Sequence, residues 1–175
     1  MNLISKTVPF IAFLCLLGCS AARPKPEVQP AAPAATPAEP RLYIRVINLP
    51  GWAQSPDSEA GGFLLLNQAV NAQVQISTFT KEQGEPRDIV GWLMVKLASQ
   101  GAVIGEMTGE PGAKTARLTF SASIGGRNIG GLASAKWSRI DGIGFLVVGL
   151  WPADNEPSPL TEYEQMFQSV DLYEQ

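Results

Sequence analysis

The chain has 175 residues, with 13 basic and 16 acidic side chains, no histidine and a formal net charge of −3. That length suits one domain with short appendages. The acidic balance excludes a nucleic-acid binder that works through bulk positive charge, and the missing histidine excludes histidine-based triads, the usual zinc sites and the commonest general base.

Both cysteines, Cys15 and Cys19, fall near the start, so no disulfide can staple the remainder, which must rely on a packed core. Residues 1–18 have the layout of a secretory signal. Lys6 and the free amine supply positive charge, and an apolar run over residues 8–17 is interrupted by Pro9. That run is about ten residues long, against the roughly 20 needed to span a bilayer as a helix. It ends in Leu16-Leu17-Gly18-Cys19. These residues resemble the bacterial lipobox, the recognition site of lipoprotein signal peptidase. The resemblance implies a diacylglycerol on the Cys19 sulfur, cleavage before Cys19 and a further acyl group, such as palmitate, on the new amine. It places the protein in the bacterial cell envelope, attached to a membrane through Cys19. Ser20, where an inner-membrane protein of enterobacterial type would carry Asp, favours the inner leaflet of the outer membrane over the inner membrane. The alternative is an ordinary secretory signal, for which Ser20-Ala21-Ala22 offers small residues.

From 23 to 40 the chain is dominated by Pro and Ala. Proline removes backbone donors and drives its neighbours out of the helical region. Residues 19–40 therefore read as an acylated cysteine and a semi-rigid tether, whose Pro-rich part reaches about 55 Å.

Residues 41–175 read as one globular domain. Strands are expected over 42–48, 63–67 and 72–79; in the last, Val74 and Ile76 alternate with Gln73, Gln75 and Ser77. A helix is expected over 86–100, with Ile89, Val90, Leu93, Met94 and Leu97 in one arc and Gly101 ending it. Strands follow over 102–107, 115–122, 129–140 and 143–151. The last is almost wholly apolar and is expected in the middle of the sheet. Gly125-Gly126 marks a hairpin turn. A final helix carries Leu160, Tyr163, Met166, Phe167 and Val170 on one stripe, with Ser158 as cap and Pro159 at its first position.

This order predicts an α+β fold: an antiparallel β-sheet packed with a mid-chain helix and a C-terminal helix. Leu49-Pro50-Gly51-Trp52 after the first strand, the mid-chain helix, the apolar strand 144–150 with Trp151-Pro152, and the ending Gln168-Ser169-Val170-Asp171-Leu172 read as helix together resemble the PsbP/DcrB-like family. The resemblance covers most of 41–175. It implies a non-enzymatic accessory, scaffold or binding protein. The metal-binding histidines of plant members have no counterpart in this chain.

The residues offer little chemistry. Gly125-Gly126 and Gly130-Gly131 fit no phosphate-loop pattern, and the pairs Asp57/Glu59 and Asp154/Glu156 read as solvated loop charges. No catalytic residue, metal site or cofactor is expected. Trp92 and Trp137 are the candidate contact surface, because partly exposed aromatics make good anchors. The expected protein is a membrane-anchored, non-catalytic binding or scaffold module with an envelope-protein or cell-wall partner and no affinity for nucleic acid. A second reading is a carrier or sensor of a small apolar ligand held between sheet and helices, where the Gly- and Ala-rich residues 129–135 leave room. A third is a hydrolase without histidine, which needs Ser, Lys or carboxylate groups converging in a cleft.

Overall fold

The computed structural model describes residues 42–55, 62–155 and 159–174. The expected signal segment, Cys19 and the expected Pro-rich tether lie outside them. The elements run β1 (Leu42–Arg45), β2 (Ala53–Gln54), β3 (Gly62–Asn67), β4 (Ala72–Thr80), a 3-10 turn (Lys81–Gln83), α1 (Pro86–Ser99), β5 (Val103–Thr108), β6 (Thr115–Ile124), β7 (Arg127–Trp137), β8 (Ile143–Pro152), α2 (Leu160–Ser169) and β9 (Asp171–Glu174). Seven strands form one antiparallel sheet in the order β2-β3-β4-β8-β7-β6-β5, and β1 pairs with β9 in a separate ribbon. The fold is the expected α+β one.

β8 occupies the middle of the sheet because its sequence suits neither edge nor solvent. Residues 144–150 are all buried, as an apolar run covered on both faces requires. Successive side chains of a strand point to opposite faces, so Phe145 and Val147 face one layer and Leu146 and Val148 the other. On the first face, Tyr163, Met166 and Phe167 of α2 pack with Val74, Ile76, Leu132, Phe145 and Val147; Ile44 of β1 and Leu172 of β9 close over the same core. Burying each such large side chain contributes roughly 1.5–3 kcal/mol before entropy is subtracted. On the opposite face, α1 inserts Val90, Leu93 and Leu97. Ala116 and Leu118 of β6 lie there, paired with Ala135 and Ala133 of β7.

Small residues in the sheet are matched by rings lying over them. A Cβ on Gly131 would fall under 3.0 Å from the Phe120 ring, one on Gly144 would meet Phe79, and one on Gly149 would meet Tyr163 and Trp151. Gly130 lies against the Trp151 indole. The room that residues 129–135 leave is therefore filled by the protein's own aromatics. Gly125 and Gly126 have φ of 59° and 78°, the two left-handed residues of a tight hairpin between β6 and β7.

α1 begins at Pro86, with the Glu85 N–H donating to Asp88 Oδ2 at 3.0 Å. It ends as expected, with Gly101 at φ 85°. Other boundaries differ from the sequence reading. The first strand stops at Arg45, and the 129–140 strand runs from Arg127 to Trp137. The last helix was expected to close at Leu172 but ends at Ser169, because Val170 is extended (φ −63°, ψ 127°) and Asp171–Glu174 pair with Leu42–Arg45. Tyr43 and Tyr173 stack across that ribbon at 5.5 Å. Leu160 is exposed rather than part of the buried stripe. Ser158, the expected cap, lies outside the described residues, and Pro159 itself precedes the first helical residue.

Candidate functional site

One end of the sheet carries a small cleft. β4 leaves the sheet through Thr80 into the 3-10 turn, and the Lys81 N–H donates to Gly142 O at 2.9 Å. The β7–β8 connection folds on itself: the Ser138 hydroxyl donates to Ile140 O at 2.9 Å and accepts from the Ile140 N–H at 3.1 Å. Gly142 completes it at φ 77°, a conformation that favours glycine. Lys81, Glu85, Trp137, Ser138, Ile140, Asp141 and Gly142 line a cleft of about 140 Å³. Small-molecule sites are typically about 300–1,000 Å³, so the cleft is smaller than such a site usually is.

Trp137 forms the wall of this cleft and is fixed in place. Its ring packs on Phe79 at 5.1 Å with a 50° tilt, and its Nε1–H donates to Glu85 Oε2 at 3.2 Å. The register explains the contact. Phe79, Gly144 and Trp137 are direct neighbours on β4, β8 and β7, and the missing side chain between them lets the rings meet. Trp137 is half-buried and ties the start of α1 to the sheet.

Trp92 is in a different situation. It is 54% exposed on the outer face of α1, with Lys96 Nζ 4.9 Å from its ring centroid. Among the described residues no ring contact joins it to Trp137. The two expected contact residues therefore do not form one surface: Trp137 is engaged within the fold and Trp92 faces water. Cys19 lies outside the described residues.

A polar cluster beneath α2 was not anticipated. Arg117 of β6 makes a two-pronged pair with Glu164 of α2, at 2.5 and 2.7 Å. Arg117 and Lys136 both stand 5.2 Å from the Phe167 ring centroid, and Lys136 Nζ donates to Gln168 O at 3.1 Å. Burial lowers the pKa of Lys136, with Asp171 partly offsetting this and Arg139 adding to it. Deeper still, the Tyr163 hydroxyl donates to Val147 O at 2.9 Å. Burial raises its pKa, opposed in part by the positive charge of Arg117. The alternation of β6 already put Arg117 on the polar face, but its partner arrives from a helix 47 residues away. These groups hold α2 on the sheet. Among the described residues, no three His, Cys, Asp or Glu side chains gather as a metal site would require.

The chain matches no protein-family model, and no curated protein matches its sequence. Solved structures do match its fold. Cyanobacterial PsbP (CyanoP) from Synechocystis sp. PCC 6803 is similar at a TM-score of 0.52 and 16% identity, over 82% of this chain and 98% of that one. The Saccharomyces cerevisiae Ran-binding protein Mog1p is similar at a TM-score of 0.53 and 6% identity, over 75% of this chain and 94% of that one. At such identities the likeness is one of architecture. The chain has a PsbP-like α+β fold.

Proposed function

We propose that this protein is a lipid-anchored, non-catalytic accessory module of the bacterial cell envelope. Residues 1–18 are its removed signal, 19–40 its acylated cysteine and tether, and 41–175 the domain that the tether presents to an envelope-protein or cell-wall partner. The observation that carries this reading is Leu16-Leu17-Gly18-Cys19 at the end of a short apolar run, followed at once by a Pro- and Ala-rich stretch. Two or three acyl chains, each buried methylene contributing about 0.8 kcal/mol, fix such a protein to a bilayer. The non-catalytic part is supported by how the polar groups are used: Glu85 binds Trp137 and Glu164 binds Arg117. The carrier reading loses its motivating feature, since Phe120 and Trp151 fill the space beside Gly131 and Gly130.

Cells fed a radiolabelled fatty acid test the anchor. The expected result is label on the parent protein, none on Cys19→Ser, and release of that variant from the membrane fraction. Density separation of the two membranes is expected to place the parent in the outer one. An unlabelled parent would overturn the proposal.

A further inference from the structure

The side chains of α1 that point away from the sheet run Asp88, Trp92, Val95 and Ser99, all exposed and spaced four, three and four residues apart. Trp92 at 54% and Val95 at 65% exposure stand one turn apart on this stripe. Nothing in the packing of α1 requires them there, because Val90, Leu93 and Leu97 already supply its inner face. Lys96 lies beside Trp92, with its ammonium over the indole. Asp88, at the start of the stripe, turns its carboxylate back onto the Glu85 N–H, where the helix N-terminus favours negative charge. An exposed indole and an aliphatic side chain one turn apart, beside a cationic side chain, match the chemistry of a membrane interface, where indole rings settle at headgroup level.

The chain itself favours lipid over a protein as the occupant of this face. The argument rests on the anchored reading given above. With Cys19 held in a bilayer and a tether reaching on the order of 55 Å, the domain never leaves the neighbourhood of one membrane surface. Linkage of this kind produces effective concentrations in the millimolar range. A face with only millimolar affinity is then occupied about half the time. Two apolar side chains and a lysine, too few to hold a freely diffusing protein on a bilayer, suffice under that constraint.

We propose that the outer face of α1, formed by Trp92, Val95 and Lys96, lies on the headgroup region of the membrane that holds Cys19. The domain thereby takes a fixed side toward the lipid, and the opposite face, under α2 and the β1–β9 ribbon, is turned away from it.

The mature chain provides a direct test. After removal of residues 1–18, Cys19 is its only thiol, so the protein can be coupled through it to a maleimide-bearing lipid. The vesicles are phosphatidylethanolamine and phosphatidylglycerol with bromine-labelled acyl chains, which quench tryptophan at the interface. The expected result is quenching of part of the parent's emission, with that part lost in Trp92→Phe and reduced in Val95→Asp. Circular dichroism confirms that both variants stay folded. A parent unquenched by bromolipid overturns the proposal. So does a Trp92→Phe variant quenched as strongly as the parent, which would place another tryptophan at the lipid and leave the α1 face to a protein. Because the coupling chemistry supplies the tether, failure here counts against the α1 face alone, whereas failure of fatty-acid labelling in cells counts against the anchor.

Discussion

The two helices treat their inner faces alike and their outer faces differently. α2 places Tyr163, Met166 and Phe167 in the core, and apart from Leu160 its exposed positions are polar. Arg117 and Lys136 come up from the sheet to bind its Glu164 carboxylate and Gln168 carbonyl. Apart from Leu160, the apolar and charged side chains of α2 named here are thus used in holding it to β4, β6, β7 and β8. α1 satisfies its packing with Val90, Leu93 and Leu97 and still carries Trp92 and Val95 in water. A helix whose apolar side chains match its buried stripe serves the fold. A helix with apolar side chains beyond that stripe has surface left for something outside it.

This contrast can be broken most forcefully at Phe167. Phe167→Ala removes a ring that is 1% exposed and flanked by two cations, and is expected to lower stability by about 3–5 kcal/mol, read from the shift in urea midpoint. A loss under about 1 kcal/mol would mean that α2 is not anchored as described.

Tyr163→Phe sharpens the contrast with a smaller effect and a pH signature. Losing the hydroxyl that donates to Val147 O is expected to cost about 1 kcal/mol at neutral pH. Burial raises the Tyr163 pKa above its ordinary 10.0, so above pH 10 the unfolded chain gives up a proton that the folded chain keeps. The parent's stability from this group is complete below pH 10 and falls as pH rises beyond it. Lys136 acts in the opposite sense. Burial lowers its pKa below 10.5, so between that lowered value and 10.5 its contribution rises with pH. Comparing urea midpoints of the parent and Tyr163→Phe from pH 8 to 11 separates the two, because the variant keeps Lys136 and loses only the alkaline fall due to Tyr163.

The smallest effect is expected at Trp92. Trp92→Ser changes a side chain that is 54% exposed and outside the buried core, and should alter stability by no more than about 0.5 kcal/mol in the same measurement. A larger loss would place Trp92 among the residues that hold the fold.

The sequence was most legible where one local pattern determined the outcome. The apolar run of β8 could only be a strand covered on both sides, and the 3.6-residue stripes of α1 and α2 named most of their buried residues. Gly101 and Gly125-Gly126 ended their elements for steric reasons that need no tertiary context. What was missed depended on distant pairing. Asp171-Leu172 reads as the tail of a helix until the strand Leu42–Arg45 is available to pair with Asp171–Glu174, across nearly the whole domain. β2, only two residues long, exists because Leu65 and Leu66 lie beside it. The same holds for the candidate site. That Trp137 is anchored while Trp92 is exposed follows from the register that sets Phe79 and Trp137 on either side of Gly144, and no local pattern of aromatics reveals it.

The ribbon of β1 and β9 has a mechanical consequence. Any load that reaches the domain along the chain from residue 41 arrives first at Leu42, which pairs with Glu174 next to the C-terminus. Beyond its four residue pairs the next fixed point along the chain is Ile47, whose N–H is held by Ser169 Oγ at 3.0 Å. The ribbon thus receives such a load ahead of the seven-stranded sheet.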